Sequence, residues 1–152
     1  IGQRSLTIYS VKGGDAIDLR TGHEHSFISN FEGVDKEKKL DYHVRPSWWQ
    51  YGLSEPTESL FQPGLYDFEK HRLLGLDETH SNIDSVDAVD WLYISNRTAI
   101  HPLEIIDKVN AKIVVLSINL DWKTRRYWLH ELERNGAPTH DMRTQGAFIE
   151  EV

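Results

Sequence analysis

The chain has 152 residues, 39% of them hydrophobic, with 17 Lys and Arg against 24 Asp and Glu for a formal charge of −7. That length suits one domain, able to bury about 70% of its unfolded surface, and the acidic balance argues against a broad basic face for duplex DNA while leaving room for a small local basic pocket. The absence of cysteine excludes disulfides, thiol nucleophiles and thiolate-bound zinc, and no apolar run reaches the ~20 residues needed to span a bilayer.

Leu6–Lys12 alternates, with Leu6, Ile8 and Ser10 on one face and Thr7, Tyr9 and Val11 on the other, which predicts a strand. Gly13-Gly14 supplies a turn, and Asp15–Arg20 is expected to return as the second strand of a hairpin. Thr21–Gly33, with His23-Glu24-His25, shows no clean period, and Asp35–Lys39 reads as a solvated loop or a first helical turn. Leu40–Trp49 alternates again and predicts a strand that Pro46 ends or confines to a sheet edge. Glu55–Phe61 fits a helical turn starting at Pro56, and Leu65–Leu74 a helix stopped by Gly75.

Asp77–Asp90 is an acidic connection, either a flexible loop near a site or a solvated linker. The stretch Asp87–Leu120 then reads as strand, helix and strand. Trp91–Ile94 and Ile113–Leu120 are the apolar runs, and Pro102 opens a helix whose apolar side is Leu103, Ile106 and Val109. Asp121 caps a helix over Trp122–Arg134 with Trp122, Leu129 and Leu132 facing inward beside Trp128, and Asn135-Gly136 stops it. Gly146–Val152 is expected as a last strand with Glu150 and Glu151 on opposite faces. These elements predict one α+β domain over residues 1–152, with a mixed or antiparallel sheet of about five to seven strands and about three helices. The opening IGQRSLTIYS lacks the regions of a signal peptide, so a soluble, cytoplasmic protein with no membrane partner is expected.

Four groupings could carry chemistry. His23 and His25 on an extended segment would lie on one face about 6–7 Å apart, within reach of one metal ion, or they are simply loop histidines. Asp41, His43 and Arg45 would project together from a strand, as a carboxylate-oriented base or as an ordinary wet face. Trp48-Trp49 with Tyr51 could stack a planar ligand.

The fourth is Tyr93-Ile94-Ser95-Asn96-Arg97 followed by a helix, the strand IVVLSINL and the terminal strand AFIEEV. This run resembles the C-terminal half of the ADP-ribosyltransferase superfamily, in particular its DNA-modifying toxin branch. There an aromatic strand ends in an arginine and a late-strand glutamate completes the site, and LTIYSV would match the first NAD-contacting strand. The resemblance implies NAD as cofactor, contacted by Tyr9, Trp48, Trp49, Tyr93 and Ser95. Arg97 would hold its diphosphate or ribose. Glu150 or Glu151 would stabilise positive charge developing on the ribose, and ADP-ribose would pass to a protein or nucleic-acid target. Two alternatives stand beside it: a non-catalytic acidic inhibitor of the immunity type, supported by the charge of −7, and a metal enzyme built on His23 and His25.

Overall fold

Residues 3–79 and 83–152 are described by a computed structural model, and their ten strands form two five-stranded sheets. The chain divides into two compact units, Ile1–Gln62 with Gln145–Val152 and Pro63–Thr144, the second interrupting the first in sequence. The expected α+β class holds, with the strands shared between two mixed sheets.

In the first unit, β1 (Arg4–Ile8), β2 (Ala16–Thr21) and β3 (Glu24–Ser29) form an antiparallel meander. β4 (Thr57–Leu60) joins β3 in parallel and β10 (Phe148–Glu151) joins β1 antiparallel. The hairpin at Gly13-Gly14 is therefore present, whereas the helical turn expected over Glu55–Phe61 is an exposed edge strand. Register places Glu151, Ser5, Arg20 and His25 in one row across the sheet, and Ile149, Thr7, Asp18 and Phe27 in the next. Alternation puts Leu6, Ile8, Ile17 and Ile28 on the opposite face, where all four are buried.

The strand expected over Leu40–Trp49 is a helix. α1 (Lys36–Lys39) runs through a π-helical turn at Leu40–Val44 into α2 (Arg45–Gln50). Leu40, Val44 and Trp48 recur every four residues and pack on Tyr9, Phe27 and Phe31, while Tyr42, which completed the apparent alternation, is 81% exposed. Pro46 has no N–H for an i−4 bond, and the wider turn ahead of it accommodates its ring. Asp41 and Arg45 thus meet as an i,i+4 pair at 2.5 Å rather than across a strand face.

In the second unit, β5 (Gly64–Phe68) and β6 (His71–Leu76) form a hairpin where the sequence predicts a helix. Its two-residue turn is Glu69-Lys70, with Glu69 at φ 57° in a conformation usually given to glycine or asparagine. Leu73–Leu76 is buried throughout, as a central strand must be. β7 (Ala88–Ile94), α3 (Pro102–Lys108), β8 (Asn110–Leu116), α4 (Trp122–Arg134) and β9 (Thr139–Asp141) follow, and β6 through β9 are parallel. The strand–helix–strand expectation is met. α5 (Met142–Gln145) then leads back toward β10.

One face of this sheet (Leu74, Leu76, Leu92, Ile94, Val114, Leu116) packs on Ile105 of α3 and on Trp128 and Leu132 of α4. The inward stripes differ from expectation. Ile105 rather than Leu103 is buried in α3, and Trp128 rather than Trp122 in α4, because the parallel sheet fixes which arc of each helix faces it. Of the acidic connection Asp77–Asp90, His80–Asn82 lie outside the described residues.

Candidate functional site

Two polar constellations, one in each unit, border a cavity or groove. The first centres on Asp18, which β2 points under α2 and which is only 3% exposed. Its Oδ2 accepts from the Tyr9 hydroxyl at 2.5 Å and from Trp48 Nε1 at 2.7 Å, and its Oδ1 faces His25 Nδ1 at 2.7 Å. His25 Nε2 lies 2.8 Å from the Ser54 carbonyl oxygen. A carboxylate and a carbonyl oxygen can only accept here, so both ring nitrogens donate and the imidazolium is the form that satisfies the site. Burial alone would lower the His25 pKa, but the hydrogen bond and charge of Asp18 and the Ser54 carbonyl outweigh it and raise it. Burial, then the adjacent Asp18 charge, raises the Tyr9 phenol. This centre ties β1, β2, β3, α2 and the segment after it into one hydrogen-bonded group.

Beside it lies a cavity of about 90 Å³ lined in part by Ser5, Thr7, Tyr9, Arg20 and Glu151. Tyr9, Trp48, His25 and Glu151 of the expected site residues therefore converge in this unit. Glu151 rather than Glu150 shares the cavity face. Trp49 is 69% exposed on the outer side of α2, and His23 is exposed in the β2–β3 turn while His25 is buried with both nitrogens engaged. Among the described residues no group of three or more metal-ligating side chains forms.

The second constellation lies at the carboxyl ends of β7 and β8, the edge of a parallel sheet where crossover loops leave room for ligands. The loop after β7 and the start of α4 enclose a groove of about 530 Å³ lined by Arg97, His101, Asp121, Lys123, Thr124 and Tyr127, among others. Asp121 caps α4, accepting from the Thr124 N–H at 2.8 Å, and His101 caps α3, its Nδ1 accepting from the Leu103 N–H at 3.2 Å. The His101 ring meets Tyr127 edge-on at 5.6 Å. Hydrogen bonds from Thr124, chiefly its backbone N–H, hold the Asp121 carboxyl below its usual range, and Arg97 adds to this.

Neither Arg97 nor Lys123 has an ion pair among the described residues, so both guanidinium and ammonium groups are available to a ligand. Trp122, between Asp121 and Lys123 in sequence but outside the groove lining, is 60% exposed with the Arg126 guanidinium 5.0 Å above its ring. Tyr93 and Ser95 do not reach this groove; both are buried at the end of β7. Arg97 and the two terminal glutamates belong to different units.

Sequence reasoning overlooked Asp18, Arg20, Lys123 and Tyr127. Asp18 carried a signal, since a carboxylate set between Ile17 and Leu19 of a strand must find donors if its face is buried. Lys123 and Tyr127 stand at i and i+4 of a helix, a spacing that joins them only once the loop before Pro102 is brought alongside.

Neither a curated protein nor a solved structure matches the chain. A family model does, over residues 6–152, and it is that of the ComEC C-terminal domain. This overturns the expected membership of the ADP-ribosyltransferase superfamily, and with it the NAD, transferase and toxin readings. The immunity-type inhibitor and the His23/His25 metal enzyme gain no support from it either. The short run from Tyr93 to Arg97 is a strand end followed by a loop, a feature many parallel sheets share. With 147 of its 152 residues spanned by that model (residues 6 to 152 inclusive), the chain belongs to the ComEC C-terminal domain family.

Proposed function

We propose that the domain serves DNA uptake by contacting a single strand of nucleic acid along the groove at the carboxyl ends of β7 and β8. The observation that carries this reading is a groove lined by Arg97 and Lys123, neither in an ion pair among the described residues, with exposed Trp122, itself backed by Arg126, next to Lys123 in the chain. Cations along a groove hold a phosphate backbone, and an exposed aromatic face accepts unpaired bases of any sequence. The acidic remainder of the chain confines the contact to this face and disfavours a wrapped duplex. Asp121, set among these cations, limits their net charge and favours a weak, releasable contact.

Fluorescence anisotropy with a labelled oligothymidine, run over a range of salt, tests this. Three phosphate contacts give a slope of log K against log salt of about −2, and Arg97→Ala or Lys123→Ala lowers its magnitude by about 0.7 each. Trp122→Ala weakens binding by about 1–3 kcal/mol per stacked base with the slope unchanged. Absence of binding at low salt, or three variants that bind like the parent, refutes the assignment.

A further inference from the structure

The cavity beside the Asp18 centre is separate from the groove, and its lining has a feature the buried network does not explain. Arg20 is half-buried on β2, its guanidinium carbon 4.7 Å above the Tyr51 ring, and its Nε is fully enclosed without a hydrogen-bond partner. An enclosed cationic donor left unmatched is costly, and the stacking on Tyr51 keeps it from swinging out to solvent. Around the same space stand the hydroxyls of Ser5, Thr7 and Ser47. Asp18 also borders it, but both of its oxygens are committed to Tyr9, Trp48 and His25, and the imidazolium matches its charge. Glu151 is exposed and faces Ser5 across the sheet.

We propose that this cavity seats a small oxyanion of the phosphate type, bound by Arg20 Nε–H with hydroxyl donors from Ser5 and Thr7. Its size, about 90 Å³, admits one tetrahedral ion and excludes a nucleobase. An oxyanion supplies the acceptor that Arg20 lacks, and a charge-assisted bond to it is the stronger kind. Glu151 repels a second negative charge, so the singly charged form is preferred and binding tightens as pH falls through the phosphate titration.

The probe is inorganic phosphate titrated into the full chain at constant ionic strength, with the Arg20 side-chain Nε–H followed by heteronuclear NMR. A nucleoside 5′-monophosphate is run in parallel. A saturable downfield shift of that resonance is expected in the millimolar range. Arg20→Lys, which keeps the charge but not the Nε–H, weakens binding about tenfold or more. Glu151→Gln, an exposed change that leaves the fold intact, strengthens it. A response to phosphate alone assigns the free ion, and a response to both ligands shows that an esterified phosphate also enters. An Arg20 resonance that does not respond to either ligand, or a Glu151→Gln variant with unchanged affinity, overturns the proposal and leaves the cavity to water. Arg97→Ala is expected to leave this titration untouched, so failure here is distinct from failure of the nucleic-acid groove.

Discussion

Replacing Asp18 separates two ways of satisfying the buried centre. In Asp18→Asn the amide oxygen can still accept from Tyr9 and Trp48, and the amide NH₂ then faces His25 Nδ1. His25 adapts by losing a proton, with Nδ1 accepting and Nε2–H still donating to Ser54, so every polar group remains paired. Asp18→Ala offers no such exit, since the Tyr9 hydroxyl, the Trp48 indole N–H and the His25 Nδ1 all lose their acceptor while buried. Removing one partner of a buried ion pair costs about 3–5 kcal/mol, which for this chain length lowers Tm by about 6–20 °C. The asparagine variant is expected to retain most of that stability.

The pH dependence distinguishes them further. Because the folded state raises the His25 pKa, its contribution is complete below the unfolded value near about 6.5 and is lost as pH rises through the folded value. The parent should therefore lose stability with rising pH in that window, and Asp18→Asn should not. Urea denaturation at several pH values, with the His25 ring followed by ¹H–¹³C NMR, measures both. A parent His25 that titrates like an exposed histidine, or an alanine variant no less stable than the asparagine one, would refute this account.

A Cβ at Gly14 would stand 2.6 Å from the ring of Phe31, itself packed among Tyr9, Phe27 and Leu40. Gly14→Ala should accordingly cost about 1–3 kcal/mol in chemical denaturation. Burial opposes ionisation of Asp141, but the Arg125 guanidinium paired with it and the Arg143 N–H lower its pKa. Its stabilisation is therefore present above the usual carboxylate range and lost as pH falls through the folded value, and Asp141→Asn should flatten the acid limb of a pH–stability curve. Asp121→Ser keeps a capping oxygen for α4 but removes the carboxylate near Arg97. Oligothymidine should bind about twofold to fivefold tighter, the size of a surface charge contribution of ~0.5–1 kcal/mol, with no loss in Tm.

Local pattern determined what local forces control. Asp121 before Trp122, Pro102 after His101 and the apolar runs at Trp91–Ile94 and Ile113–Leu116 were sufficient to place α3, α4, β7 and β8. Caps, proline and buried central strands leave signatures within a few residues. The α+β class followed from the same elements. Where two periods coexisted the sequence did not decide. Leu40, Val44 and Trp48 fit a four-residue repeat while Leu40, Tyr42 and Val44 fit a two-residue one, and only packing against Tyr9 and Phe27 selects the helix. Leu65–Leu74 carried no turn signal because Glu69 occupies the positive-φ position, so the hairpin rests on the pairing of Leu74 with Leu92 in the neighbouring strand.

The candidate sites were legible only in part, for a related reason. Arg97 stood out as a charge leaving a buried strand, and Tyr9, Trp48, His25 and Glu151 were each noticed singly. Their grouping around Asp18 depends on strand register and on a helix crossing above it. The groove depends on a crossover that brings residues 97–102 beside residues 121–127. Sequence fixes side-chain chemistry and short-range periodicity directly, whereas the meeting of groups distant along the chain follows from sheet order and helix packing, which are set by burial summed over the whole of each unit.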